Sequence, residues 1–280
     1  MANVTIITGG GSGMGEETAL FLPKESLLVI AGRHMEKLEK SADRLRAQGH
    51  TVYPHTCDTS KRESVRELVS YAASLGNLSC VIHCAGVSPA LCEDPEKVLR
   101  INALGTIYVN QESAKKMEQG GVIVDVASNS AYQLPSFLIP TGLYERAEAD
   151  EEGFVRGILK KVRLTKAGYQ RAGFAYAYSK NFAVWYAAEC AFRYGPKGIR
   201  VVSLSPGLIA TGMGKKELGA NDERLIAHTA AGRLGTPQEL GFAIAMAADS
   251  RNGYLSGVDI LCDGGEITGR KHHAVFPGRT

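Results

Sequence analysis

The chain has 280 residues, 44% of them apolar, and carries 32 basic against 29 acidic side chains for a net charge of +3. That length suits one α/β sheet with helices on both faces, and the balanced charge argues against a nucleic-acid surface. No apolar run approaches a membrane span, and six scattered cysteines without a C-x-x-C pair read as buried thiols in a reducing cytoplasm.

The first predicted strand, 4–7, is short and mostly β-branched. It begins almost at once, leaving no room for a secretory leader, so the expected compartment is the cytoplasm. Thr8-Gly9-Gly10-Gly11-Ser12-Gly13-Met14-Gly15 follows, and a helix is expected over 16–22, closed by Pro23. Strand, glycine turn and helix N-terminus together make an anion site, because the bare backbone admits a pyrophosphate and free N–H groups face it. Gly9, Gly11, Ser12, Gly13, Met14 and Gly15 are therefore candidate dinucleotide contacts.

The second strand, 27–31, ends in Gly32-Arg33-His34. Sites selective for NAD usually place an acid here for the ribose 2′-hydroxyl. Arg33 instead suits a 2′-phosphate and offers adenine a flat surface, so NADP(H) is the expected cofactor and NAD(H) the alternative. A helix follows over 35–48. A weaker strand at 52–55 leads to Cys57-Asp58-Thr59-Ser60 and a helix to residue 74. Asp58 can cap that helix or hydrogen-bond the adenine amino group.

Strand four, 78–82, runs into His83-Cys84-Ala85-Gly86, and one continuous helix is expected over 95–117. Strands five, six and seven are expected at 121–126, 200–204 and 258–262. Helices alternating with apolar strands predict a doubly wound parallel sheet of about seven strands. Ligands of such a sheet bind beyond the carboxyl ends of its strands. Ser128 lies there after strand five. Tyr176 and Lys180 open a long helix through Arg193; four apart, they share one helix face, and a cation beside a phenol lowers its pKa toward a usable acid or base.

Taken together these motifs resemble the short-chain dehydrogenase/reductases of the non-extended type, over essentially the whole chain. Thr8-Gly9-x-x-x-Gly13-x-Gly15 is similar to that family's nucleotide loop, and Asp58, Asn102, Ser128 and the Tyr176-x-x-x-Lys180 pair stand where its site residues stand. Pro206-Gly207-x-Ile209-x-Thr211 resembles the loop lining the nicotinamide, and Asp263-Gly264-Gly265 is also shared. The resemblance implies a single Rossmann-type domain, without metal, that transfers hydride between NADP(H) and a small-molecule carbonyl/alcohol pair. It casts Tyr176 as proton donor or acceptor, Lys180 as its cation and nicotinamide-ribose ligand, Ser128 as support for the substrate oxygen, and Asn102 as holder of a water. Ala85 and Gly86 are expected against the cofactor.

Two departures stand out. His83-Cys84 replaces the family's usual Asn-Asn, and a buried, hydrogen-bonded His83 is the expectation. Ser128 and Tyr176 are 48 positions apart, far more than is usual. The extra segment, about 132–172, carries Phe154, Val155, Ile158, Leu159 and Val162 at helical spacing. It resembles the insertion of bacterial 3α-hydroxysteroid dehydrogenase/carbonyl reductase-like members and reads as a substrate lid or an altered subunit interface. Ser88, Pro89, Ala90, Leu91, Asn129, Leu208 and Met213 are candidate pocket residues, mostly apolar, which points to a lipophilic or steroid-like substrate. A homodimer or homotetramer through 111–117 and 185–192 is expected, with a tail at 266–280 either disordered or laid over a neighbour. An NADP(H)-sensing regulator, an extended-type epimerase and a scaffold are the other classes; the first typically lacks the Tyr/Lys pair and the second needs a larger C-terminal domain.

Overall fold

The computed structural model describes residues 1–165, 168–210, 226 and 228–275. In chain order the main elements are β1 (Asn3–Thr8), α1 (Gly13–Ala19), β2 (Leu27–Gly32), α2 (Met35–Ala47), β3 (Thr51–Thr56), α3 (Arg62–Leu75), β4 (Asn77–His83) and α4 (Pro95–Leu99). After a wide turn they continue as α5 (Gly105–Lys116), β5 (Val122–Val126), α6 (Thr141–Tyr144), α7 (Glu151–Val162), α8 (Tyr169–Tyr194), β6 (Arg200–Pro206), α9 (Pro237–Ala248), β7 (Asp259–Cys262) and α10 (Glu266–Val275). The strands form one parallel sheet in the order β3-β2-β1-β4-β5-β6-β7. The order reverses between β1 and β4, so a crevice opens at their carboxyl ends.

Alternate residues of each strand feed two cores. Val4, Ile6, Val29, Val81, Ile123 and Val201 pack with α3, α5, α7 and α8. Ile7, Leu28, Ile30, Val124 and Leu204 pack with α1, α2 and α9. Burial on both sides explains why the strands read as unbroken apolar runs instead of alternating ones.

The expected continuous helix over 95–117 is in fact interrupted. Asp94 caps α4 through the N–H groups of Glu96 and Lys97, and residues Arg100–Leu104 then form a π-helical turn before α5. The turn carries Asn102, whose side chain is held by partners far away in sequence, which periodicity cannot register.

The long segment between Ser128 and Tyr176 packs as part of the larger core. Tyr144 meets Phe182 of α8 edge-on and Phe154 packs tilted against it, with ring centroids 5.2 and 4.9 Å apart. Glu151, at the start of α7, bonds Arg62 at 3.0 Å and the Tyr108 hydroxyl at 2.6 Å, and Glu152 forks onto Arg100. Helix α7 is thereby fastened to the helix layer, against α4 and α8. Glu148 accepts hydrogen bonds from Tyr186 and Arg193, covering part of the α8 surface expected to meet another subunit.

Of the tail expected at 266–280, residues 276–280 lie outside the described residues, and Glu266–Val275 form the helix α10. Its start is set by Asp263, whose carboxylate accepts from the N–H groups of Gly265 and Ile267 at 2.9 and 2.8 Å. None of the described helices is long and apolar enough to cross a membrane.

Candidate active site

The glycine loop leaves β1 and turns under β2. The N–H groups of Gly9 and Gly10 both reach the Ala31 carbonyl, at 2.7 and 3.3 Å. Helix α1 opens at Gly13, earlier than expected, so Gly13, Met14 and Gly15 form its first turn. A Cβ on Gly15 would stand 2.7 Å from the Gly9 carbonyl oxygen, so only glycine lets the helix sit this close to the loop. Ser12 precedes the helix in extended conformation and its hydroxyl makes no cap. The first-turn N–H groups are therefore available, and the cradle fits a pyrophosphate.

Arg33 follows the end of β2, exposed, and among the described residues its side chain has neither an ion pair nor a hydrogen bond. His34 beside it is exposed as well. Asp58 follows β3 and shapes its own turn: one carboxylate oxygen accepts from the Ser60 N–H at 3.1 Å and the Ser60 hydroxyl at 2.7 Å. The cap position of α3 belongs to Lys61, so Asp58 does not cap that helix.

Strands β4 and β5 and helix α8 bring the remaining residues together. The Ala85 N–H donates to the Thr8 hydroxyl at 3.2 Å, and that hydroxyl lies 2.7 Å from Nδ1 of His83. His83 is buried as expected, and burial together with Lys180 pushes its pKa down to about 3, so the ring is neutral. Asn102 accepts from the Val87 N–H at 2.9 Å and donates to the Val87 carbonyl and the Ser179 hydroxyl, at 2.9 and 3.2 Å. Both protons of its side-chain amide are thus committed to holding the stretch after Gly86 against α8. Gly86 lies against this amide: a Cβ there would stand 3.1 Å from the Asn102 Oδ1.

Lys180 is 8% exposed and donates to the Val126 carbonyl at 2.8 Å, two residues before Ser128. Its Nζ stands 5.8 Å from the centroid of the Tyr176 ring, one turn back on the same helix. Ser128 is 9% exposed and its hydroxyl accepts from the Ser130 N–H at 3.2 Å. Sequence reasoning missed the partner of Asn129, which is Glu266 at 2.6 Å, a carboxylate 1% exposed and also bonded to Arg270. Nothing in the spacing of Asn129 and Glu266 signals that meeting.

On the far side Pro206 ends β6, and the Gly207 N–H bonds the Cys262 carbonyl at 3.1 Å. Ile209 is buried and pairs as a parallel bridge with Gly235. Thr211 and Met213 lie outside the described residues. Of the expected pocket residues, Ser88, Pro89 and Asn129 are buried, Ala90 and Leu208 half-buried, and Leu91 exposed.

Known proteins share this architecture. The family model for short chain dehydrogenase matches residues 3–140, and that for Enoyl-(Acyl carrier protein) reductase matches residues 161–266. The short-chain dehydrogenase/reductase bsc3 of Alternaria brassicicola is 26% identical over 273 residues, covering 95% of this chain and 97% of that one. The mouse peroxisomal 2,4-dienoyl-CoA reductase is 29% identical over 269 residues, covering 94% and 82%. A 7α-hydroxysteroid dehydrogenase solved with NADH and 7-oxo glycochenodeoxycholic acid shares the fold at a TM-score of 0.75, with 24% identity over 94% of this chain and 93% of that one. The chain belongs to the short-chain dehydrogenase/reductase family and is an NAD(P)-dependent oxidoreductase.

Proposed function

We propose that the chain interconverts a carbonyl and a secondary alcohol with NADP(H), using Tyr176 as general acid and base. The observation that carries this is Lys180, buried and held by the Val126 carbonyl with its ammonium beside the Tyr176 ring. A fixed cation favours the phenolate and brings the phenol into the range of proton transfer. The nicotinamide supplies or accepts the hydride, and the protein handles the proton. In reduction Tyr176 protonates the carbonyl oxygen, and in oxidation it takes the alcohol proton. Ser128 donates a hydrogen bond to the same oxygen as charge develops. Lys180 would hold the ribose hydroxyls of the bound cofactor, and Asn102 positions the loop at Val87 through its N–H and carbonyl.

Arg33 supports NADP(H): it is exposed, unpaired among the described residues, and has Gly32 in the place of an acid. NAD(H) is the second reading, favoured by the NADH found in the 7α-hydroxysteroid dehydrogenase of the same fold. The substrate we read as a lipophilic ketone or alcohol of steroid-like size, from the apolar candidates around Pro89 and Leu208. Two measurements test these readings. Calorimetric titration should show tighter binding of NADPH than NADH; the reverse order would reject the assignment of Arg33. Nicotinamide absorbance should change when protein and NADP⁺ meet a panel of secondary alcohols including hydroxysteroids; silence across alcohols and the matching ketones would reject the reaction.

A further inference from the structure

One acid lies within strand β5 itself. Asp125 is 1% exposed, between Val124 and Val126, on the sheet face covered by α5 and α8. In register it neighbours His83 of β4 and Ser203 of β6. With Thr8, the register partner of His83, these residues make a polar row across four strands of an otherwise apolar layer. Both carboxylate oxygens of Asp125 lie 2.9 Å from one nitrogen, Nδ2 of Asn110 on α5. That amide also donates to the Thr106 carbonyl at 3.0 Å, so Asp125 receives only one of its protons. From α8, Cys190 and Lys180 act on it electrostatically, and the Lys180 ammonium is bonded to the carbonyl of the next residue, Val126.

A buried carboxylate normally needs several donors or a close cation. Asp125 has one shared proton from Asn110, and the Lys180 ammonium also donates to the Val126 carbonyl. Burial raises its pKa to about 7, against the opposing pulls of the Asn110 hydrogen bonds and Lys180. His83 cannot supply a charge: its ring is neutral, and its Nδ1 shares a hydrogen bond with the Thr8 hydroxyl. Its Nε2 has no hydrogen-bond partner among the described residues.

We propose that Asp125 is a positioning residue for Lys180: by holding or losing its own proton it sets how strongly the ammonium acts on Tyr176. The inference rests on the roles given above to Tyr176 and Lys180. With Asp125 neutral, the Lys180 charge acts on the phenol alone. With Asp125 ionised, part of that charge is offset and the phenol ionises at higher pH. The two titrations are coupled, and the apparent midpoint of catalysis belongs to the set.

The test has two arms. Infrared spectra of the wild type and of Asp125→Asn, taken against pH, isolate the carbonyl stretch of one protonated carboxyl. In the wild type that band should fade across about pH 7. Lys180→Met should move its midpoint up by about one unit, while Lys180→Arg leaves it in place. A band that never titrates, or a midpoint indifferent to Lys180→Met, overturns the proposal. The second arm is the pH profile of alcohol oxidation, in which Asp125→Asn should shift the rising limb down by about half a unit to one unit. A lower rate with an unmoved profile would mean that Asp125 is structural only. If the wild type oxidises no alcohol, the proposed reaction fails, and the infrared arm decides the state of Asp125 without it.

Discussion

The glycine loop after β1 and the polar row through β4 and β5 lie side by side at the reversal point of the sheet, built in opposite ways. The loop works by omission. Its carbonyl and N–H groups approach one another because no Cβ intervenes, as between Gly15 and Gly9. The row works by addition: Thr8, His83, Asp125 and Asn110 bring polar atoms into an apolar layer, and each must find a partner or stay neutral. The first kind of site is indifferent to pH and intolerant of volume. The second tolerates shape but answers to charge.

Four substitutions sharpen that contrast, in falling order of expected effect. Tyr176→Phe removes the proton donor while keeping the ring, so turnover should drop by about 10²- to 10⁴-fold while calorimetry shows cofactor affinity little changed. Substantial remaining turnover would reject the role given to Tyr176. Arg33→Asp replaces the exposed cation after β2 with a charge repelling a 2′-phosphate. NADPH affinity should fall by about 10- to 100-fold, with NADH nearly unaffected; equal losses would show Arg33 is not a phosphate ligand. Gly15→Ala puts a methyl group against the Gly9 carbonyl and should lower stability by about 1–3 kcal/mol in thermal unfolding, equally at every pH.

The fourth substitution acts through pH alone. The unfolded chain protonates His83 near its ordinary value of 6.5, whereas the folded ring resists until about pH 3. The unfolded state thus binds the extra proton across that window, so this contribution to stability is present above the upper value and is lost as pH falls toward the lower one. His83→Asn should flatten the acid side of the stability curve by about 1.4 kcal/mol per pH unit in that window, read by denaturant titration at several pH values. A parallel curve for the variant would mean that the ring is not held neutral.

The contrast also accounts for what could be read in advance. The order of strands and helices, the glycine loop, Arg33 after β2 and the Tyr176–Lys180 face depend on near neighbours in the chain, and periodicity or spacing carries them. The π-helical turn at Asn102 does not, since the bonds to Val87 and Ser179 span 15 and 77 positions. The segment between Ser128 and Tyr176 was legible as an amphipathic helix, yet the helix layer as its resting place comes from Arg62, Arg100 and Phe182, which no local pattern links to it. Glu266 was missed for the same reason: it reads as the start of a tail until Asn129 meets it.

By itself the sequence determined the alternation of strand and helix, the bare backbone of the glycine loop and the pairing of phenol and ammonium on one helix turn. Each of these is set by residues within a few positions of one another, through sterics and the helical repeat. Tertiary structure alone decided which carboxylates are buried and which groups surround them. Burial and register join Asp125 to His83, Asn110 and Lys180 across distances the linear pattern does not encode, and the energy of a charge depends on those surroundings rather than on its place in the chain.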